Sequence, residues 1–182
     1  MPPERYPVRL PPGMRAVHGR QRWLYGDTDP VSAYVDEQTR IAAGDLCWLH
    51  GHLCLPAGEL ALRLAGTSTG PWLPWRGQQI RLARNFLGVA LQPSPIGQAG
   101  LVRVATGGVF QFECHATRAQ LGGLVSAEPA ADGTHLWGQR VILVSEAARA
   151  IGRVDRAEPR PAGKLAVRIF SRVFSPPWTE VL

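Results

Sequence analysis

From Leu46 onward the sequence is a succession of short apolar runs separated by glycine and proline, and this pattern limits the folds open to the chain. With 20 Gly and 16 Pro among 182 residues, few stretches are long enough for an uninterrupted helix. Short apolar runs with turn residues between them are typical of the strands of a sandwich or barrel. We therefore predict an all-β fold, with a β-sandwich or barrel-like body and an extended N-terminal arm.

The most distinct local unit is a predicted β-hairpin centred on Gly107 and Gly108. Residues 101–106 and 109–114 flank these glycines, and two glycines can adopt the positive φ angles of a tight hairpin turn. The apolar face in this register consists of Leu101, Ala105, Phe110, Phe112 and Cys114. The other predicted strands cover residues 46–54, 59–64, 78–83, 86–91, 122–127, 140–145, 149–154 and 165–174.

A short internal repeat connects two parts of the body. Residues 86–90 (Phe-Leu-Gly-Val-Ala) are echoed by residues 150–154 (Ala-Ile-Gly-Arg-Val), and in both copies a proline follows the glycine by seven residues. A run of Val-Arg-Val at 102–104, or Val-Arg-Ile at 167–169, comes next. Two copies are too few for a solenoid, so the repeat indicates one body with internal pseudo-symmetry.

The arm is predicted over residues 1–43 and the body over residues 44–182, with a short C-terminal tail. Five prolines among the first twelve residues prevent a continuous hydrogen-bonded ladder there, so the body is expected to depend little on residues 1–28. Asp29-Pro30 resembles a helix start and Gly44 a helix stop. Residues 31–43 therefore form either one short helix or an extended segment leading into the first strand.

Composition excludes two classes of protein and argues against a third. A chain with 45% hydrophobic and 19% charged residues is too apolar for intrinsic disorder, and no apolar stretch approaches the roughly 20 residues of a membrane span. The net charge is +6, but the arginines are scattered, with one local concentration at Arg15, Arg20 and Arg22. Nucleic-acid binding usually needs a basic cluster or stripe, so no specific nucleic-acid partner is expected.

The cysteines indicate a reduced environment. Cys47, Cys54 and Cys114 lack the regular spacing of a disulfide framework. Residues 1–10 carry prolines and charges where a secretory signal needs an apolar core, so we expect synthesis and folding in a cytosol.

One segment has the residue types of a metal site. On a single strand, His50, His52 and Cys54 would share a face with Trp48. Structural zinc sites usually draw ligands from two separated segments, so we interpret this segment as a half-buried strand with surface histidines.

No nucleophile elbow, phosphate loop or dinucleotide fingerprint is present in the sequence. We therefore predict no metal, no cofactor, no catalytic residues and no enzyme activity.

Two sets of residues predict protein interfaces. In the arm, guanidinium and aromatic groups suit acidic and apolar patches on a partner, and this set is Arg5, Arg9, Arg15, Arg20, Arg22, Trp23 and Tyr25. Near the C-terminus, the strand predicted at 165–174 has arginine and phenylalanine alternating on one face. Interface cores are enriched in these residues, so we predict an oligomer interface at Arg168, Phe170, Arg172 and Phe174.

Five motifs occur in an order that resembles the capsid decoration (cement) proteins of tailed bacteriophages, the small β-sheet family also called capsid fibre proteins. They are Gly44-Asp45-Leu46, residues 86–90, the segment 100–112, residues 150–154 and Ala166-Val-Arg-Ile169. The resemblance covers residues 44–172. The chain departs from the family in its proline- and arginine-bearing arm and in a tryptophan-rich loop at 70–76.

The resemblance implies a non-enzymatic β-rich homotrimer on the outer surface of the virion capsid, which clamps neighbouring subunits of the major capsid protein. A symmetric trimer would multiply individually weak contacts at three-fold capsid positions. Two alternatives stay open at this stage: a nucleic-acid-binding β-barrel protein and a small zinc-dependent enzyme. DNA binding that weakens steeply with salt would favour the first, and stoichiometric zinc would favour the second.

Overall fold

A computed structural model describes residues 22–26, 28–65 and 73–174. The described residues are mostly strands, which confirms the predicted all-β class. The strands are β1 Arg22–Tyr25, β2 Pro30–Val35, β3 Leu46–His50, β4 Leu53–Pro56, β5 Phe86–Ala90, β6 Gly100–Ala105, β7 Gly107–Ala119, β8 Leu124–Pro129, β9 Leu136–Leu143, β10 Gly152–Val154 and β11 Glu158–Phe170. The helices are α1 Leu60–Ala65 and α2 Trp75–Arg84, with single 3-10 turns at Ala57–Glu59 and Ala147–Arg149.

Strands β2 to β6 form a closed barrel, here called the first ring. Its strand order is β2-β4-β3-β5-β6, and β6 pairs back to β2. The pairing between β2 and β4 is parallel, whereas the other pairings are antiparallel. This closure leaves no free edge in the ring.

Strands β7 to β11 form a second ring with the same connectivity. They belong to a sheet of order β1-β7-β11-β10-β8-β9, in which β9 also pairs with β7 in parallel. Strand for strand, β7 to β11 therefore repeat the pairings of β2 to β6. The extra strand β1 lies antiparallel to the start of β7.

The correspondence between the rings extends to individual residue pairs. The parallel pair Tyr34 and Leu53 of the first ring has its counterpart in Glu113 and Arg140 of the second. Likewise, the pairing of Cys47 with Gly88 corresponds to that of Val125 with Gly152. The internal repeat seen in the sequence is therefore the β5–β6 and β10–β11 portion of a doubled five-stranded unit.

The glycines of the repeat, Gly88 and Gly152, lie at equivalent points where two neighbouring strands approach each other closely. A Cβ atom at Gly88 would lie 1.9 Å from the carbonyl oxygen of Ala105 in β6. At Gly152 it would lie 2.5 Å from the carbonyl oxygen of Arg168 in β11. Only glycine fits either position without moving backbone atoms.

Two apolar clusters fill the molecule. The smaller one comes from the first ring and consists of Val35, Ile41, Cys47, Cys54, Leu87, Ala90, Val102 and Val104. The larger one spans both rings, so that Trp48 and Phe86 of the first ring share a core with Phe112 and Val167 of the second. The rings are therefore joined by a common core.

Two segments predicted as strands are helices. Residues 59–64 lie mainly in α1, and residues 78–83 lie within α2. Short apolar runs do not distinguish a strand from one side of a helix, and here tertiary packing decides. Gln78 and Gln79 on α2 are buried, and the Gln79 side chain donates to the Ala127 carbonyl of the second ring at 2.6 Å.

The predicted hairpin at Gly107-Gly108 is wrong. β6 pairs with β2 and β5, whereas β7 pairs with β1, β9 and β11, so the glycines join one ring to the next. Leu101, expected on the buried face, is 66% exposed. The local turn chemistry was compatible with a hairpin, but each strand has longer-range partners.

The predicted arm also differs from the structure beyond residue 21. Strand β1 lies within the sheet, and β2 is part of the first ring, with Val35 and Ile41 buried. The helix alternative for residues 31–43 is wrong, and the extended alternative is right for Pro30–Val35. Residues 1–21 lie outside the described part of the chain.

Within the described residues, no helix is both long and apolar enough to cross a membrane.

Candidate interaction surface

Strand β1 brings two predicted contact residues to the surface of the second ring. Trp23 is 44% exposed and Tyr25 is 40% exposed, and they lie opposite Phe110 and Val109 of β7. A Cβ atom at Gly108 would lie 3.4 Å from the Trp23 indole nitrogen, so the indole lies close over this glycine. β1 is the outermost strand of its sheet order, and its residues lead directly to the N-terminal 21 residues.

Tyr25 and Arg168 meet on one carboxylate, that of Asp155. The Tyr25 hydroxyl donates to Asp155, while the Arg168 guanidinium contacts the same carboxylate, with Nε at 2.8 Å and Nη2 at 2.7 Å. Asp155 follows β10, so the cluster ties together β1, β10 and β11. The structure thus brings a residue of the predicted arm set next to one of the predicted interface set.

The electrostatics of this cluster favour an ionised Asp155 and a protonated Tyr25. The hydrogen bond to Asp155 raises the pKa of the Tyr25 phenol, with burial and the carboxylate charge acting in the same direction. Burial also raises the pKa of Asp155, but the hydrogen bonds from Tyr25 and Arg168 and the Arg168 charge together lower it below its usual value. The cluster is therefore a charge-assisted attachment of β1 to the second ring.

The other members of the predicted oligomer interface do not share one strand face. β11 ends at Phe170, so Arg172 and Phe174 lie on the turn that follows it. The backbone N–H of Arg172 donates to the Phe86 carbonyl at 2.9 Å, which places this turn where the two rings meet. Phe174 is exposed, and the role of the set as an interface stays a prediction.

Much of the predicted arm set falls outside the described residues, namely Arg5, Arg9, Arg15 and Arg20. Arg22 begins β1, where it pairs with Gln111. The structure thus locates Arg22, Trp23 and Tyr25 on one sheet strand, and the capsid contacts expected of the set stay a prediction.

The histidine-rich segment does not form one strand. β3 ends at His50 and β4 begins at Leu53, so His52 lies in the turn between them. The His52 ring stacks on Tyr34 with centroids 6.1 Å apart, whereas Cys54 points into the core of the first ring. In residues 22–26, 28–65 and 73–174, no three His, Cys, Asp or Glu side chains are grouped as a metal site requires.

The described end of the tryptophan-rich loop joins the rings. Trp75 begins α2, and the guanidinium groups of Arg76 and Arg149 lie over its ring, at 5.3 Å and 5.1 Å from the ring centroid. Arg149 is buried and donates from Nε to the Gln79 side chain at 2.8 Å. Trp75 therefore packs against the 3-10 turn of the second ring that contains Arg149.

Asp155 was missed by the sequence analysis, although the repeat contains a signal for it. Aligning the two copies of the glycine motif places Asp155 where the first copy has Leu91. The charged Asp155 in place of the apolar Leu91 indicates that these two equivalent positions have different surroundings in the two rings. The charge partners Tyr25 and Arg168 are far away in sequence, so only the fold identifies them.

No protein-family model matches the chain, and no curated protein matches it in sequence. Among solved structures, the chain is similar to the head fiber gp8.5 N base of bacteriophage phi29, with 12% sequence identity and a TM-score of 0.40. The match covers 79% of this chain and 95% of that chain.

Proposed function

We propose that this protein is a structural virion protein of a bacteriophage, which decorates the outer surface of an icosahedral capsid as a homotrimer and clamps neighbouring major capsid subunits. The order of the sequence motifs supports this proposal, because they follow the family of capsid decoration proteins over residues 44–172. The proposed activity is binding, and it involves no catalysis and no cofactor.

The observation that carries the proposal is the placement of β1. Two exposed aromatic side chains, Trp23 and Tyr25, lie on an outer strand that is held on the second ring by pairing with β7 and by the contacts of Tyr25 and Arg168 with Asp155. The chain that precedes this strand carries four arginines of the predicted arm set. A segment attached to a rigid body by an aromatic-bearing strand suits extended contacts with a neighbouring protein.

The experiment is deletion of residues 2–21, followed by binding to purified heads that lack this protein. The cut is placed before β1 because Arg22–Tyr25 pairs with β7 and the Thr106 N–H donates to the Thr28 carbonyl at 3.1 Å. We expect the melting temperature of the truncated protein to change by less than about 2 °C, since the paired residues are retained. We expect its apparent affinity for heads to fall at least about tenfold, since the loss is repeated in each copy of a trimer.

A matched control replaces residues 2–21 with a Gly/Ser segment of equal length, which keeps the length but removes the arginines. It should bind heads as poorly as the deletion. Unchanged head binding by the deletion would show that residues 2–21 do not dock. Failure of the full-length protein to bind heads at all would overturn the proposed function.

A further inference from the structure

The corresponding ends of the two rings are closed in different ways. At the end of the first ring, the connection between β2 and β3 (residues 36–45) folds back over the barrel. Its Ile41 is only 1% exposed and belongs to the same apolar cluster as Val35 and Cys47. The Ile41 N–H donates to the Ser94 carbonyl at 3.0 Å, and the Ser94 N–H returns a bond to the Ile41 carbonyl at 2.9 Å. The end of the first ring is therefore closed by the Ile41 side chain, whose backbone is hydrogen-bonded to Ser94.

The second ring has a pocket at its corresponding end, with a volume of about 460 Å³. The residues that line it come from the end of β7, the start of β8, the end of β9 and the start of β11. They include apolar side chains, which are Leu124, Leu143, Val144 and Pro159, and two charged ones, which are Arg118 and Glu158. We call this the end pocket.

The connection from β7 to β8 is too short to fold over the end pocket as the β2–β3 connection folds over the first ring. Only residues 120–123 join the two strands. Their turn is held by hydrogen bonds from the Gly123 N–H to the Gln120 carbonyl at 3.1 Å and from the Gly122 N–H to the Val154 carbonyl at 2.8 Å. Its apex, Leu121, is 70% exposed and lies between two residues that line the pocket.

The exposed Leu121 side chain and the end pocket therefore lie side by side at one end of the second ring. The first ring shows that the equivalent end accepts a branched aliphatic side chain. The pocket wall also carries both signs of charge, so Arg118 of one copy can face Glu158 of the next while the leucine is buried. An exposed leucine, a recess and opposite charges on one end allow one copy to pair head to tail with the next.

We propose that Leu121 of a second copy of this chain occupies the end pocket, and that this contact holds the trimer together. This inference rests on the homotrimer of the proposed function and names one of its contacts. Each copy supplies one leucine and one pocket, so three copies around an axis satisfy all three pairs and close the ring of subunits. The contact lies at the Glu158 end of β11, opposite the Phe170 end where the predicted interface residues are found.

The test is the oligomeric state of the full-length protein by light scattering over a concentration series. Leu121→Asp replaces the apolar side chain of the contact with a charged one and should raise the dissociation constant of the trimer at least about a hundredfold. Leu101→Asp, at an equally exposed leucine on the first ring, is the matched control and should leave the trimer intact. Phe174→Asp at the other end of β11 tests the competing contact.

A charge exchange separates direct contact from misfolding. Arg118→Glu and Glu158→Arg should each weaken the trimer, and the double exchange should restore it, because opposite charges again face each other across the contact. Thermal unfolding of the three variants checks that the rings remain folded. Glu158 pairs with Ala119, next to Arg118, in the same copy, so restoration reports on the contact between copies where the melting temperatures of all three variants are unchanged.

Several outcomes overturn the inference. A wild-type protein that stays monomeric, or a Leu121→Asp protein that stays trimeric, would do so, and dissociation of Phe174→Asp would then assign the trimer contact to the other end of the second ring. If Leu121→Asp stays trimeric while Val144→Trp, which fills the end pocket, abolishes head binding, the occupant is a capsid segment and the inference is wrong. A wild-type monomer that still binds heads would refute this contact but not the capsid-binding role. A trimer that binds no heads would refute the capsid-binding role but not this contact.

Discussion

The first and second rings share strand order and register but differ in the connections between their strands. In the first ring, the β2–β3 connection covers the end of the barrel, and the segment between β4 and β5 contains both helices. In the second, the equivalent connections are the turn at 120–123 and the single 3-10 turn Ala147–Arg149. In the described residues, the first ring therefore covers its own end and contacts the second ring through α2, whereas no connection of the second ring covers its end pocket.

The covered end of the first ring is also fixed by a polar network. Arg63 of α1 donates to Thr39 at 2.7 Å and to Asp36 at 3.3 Å, and it forms an ion pair with Glu59 at 3.3 Å. Thr39 is fully buried, and its hydroxyl bonds to Asp36 at 2.5 Å. The two rings thus have the same strand pairings. The connections between the strands decide whether the end of a ring is covered, as in the first ring, or exposed, as in the second.

The largest expected effect concerns the repeated glycines. Gly88→Ala should reduce the free energy of unfolding by about 4 kcal/mol, because the new Cβ meets a backbone oxygen at 1.9 Å and the residue has a φ of +153°. Gly152→Ala, with its closest approach at 2.5 Å, should cost about 2 kcal/mol. Urea denaturation measures both values.

The control for the glycine pair is Gly100→Ala in β6, where a Cβ atom would meet nothing within 4 Å. It should change the stability by less than about 0.5 kcal/mol. Equal losses of unfolding free energy at Gly88 and Gly152 would mean that the two strand contacts are equally tight in solution. No loss at either position would show that these contacts do not require glycine.

The second effect concerns the closed end of the first ring. Ile41→Ala should cost about 3 kcal/mol of unfolding free energy, because it removes a fully buried side chain and leaves a cavity. Ile96→Ala, the same substitution at a 65% exposed position of the same ring, should cost less than about 0.5 kcal/mol. Similar values for the two variants, in denaturant unfolding at low protein concentration, would show that Ile41 does not close the barrel.

The smallest effect concerns two aspartates with opposite pH behaviour. Partners lower the pKa of Asp155 beside the second ring, so its contribution to stability is present above the unfolded-state pKa and is lost as pH falls through the folded value. Burial raises the pKa of Asp45 at the start of β3, outweighing its bonds from Ala42 and Gln139. Its contribution is therefore present at low pH and is lost as pH rises through the folded value.

Unfolding free energies measured between about pH 2 and pH 7 check these directions. The difference between wild type and Asp155→Asn should increase with pH, and the difference between wild type and Asp45→Asn should decrease with pH. Slopes of the same sign for both variants would contradict the assigned environments.

The β-rich class and the internal repeat could be predicted from the sequence because they depend on local patterns. Alternating apolar runs, and glycines at the same place in two copies, reflect short-range demands of strand geometry. The repeat at residues 86–90 and 150–154 identified β5 and β10 correctly, since a glycine without a Cβ is needed at each crossing.

The candidate surface could be predicted only in part. Trp23 and Tyr25 were predicted as contact residues from their chemistry, and that role stays a prediction. Their strand, and the meeting of Tyr25 with Asp155 and Arg168, depend on residues far apart in sequence. The end pocket was not predictable, since it exists because the turn at 120–123 is short and four strand ends converge there.

The sequence by itself determined the β-rich class of the fold and the occurrence of one structural unit twice. Tertiary structure alone decided the partner of each strand, the helical state of residues 60–65 and 75–84, and the role of Gly107-Gly108 as a link between rings. The physical reason is that a short apolar run or a glycine pair satisfies several local geometries at similar free energy. The choice among them is made by the hydrogen bonds and buried area that become available only when distant strands meet.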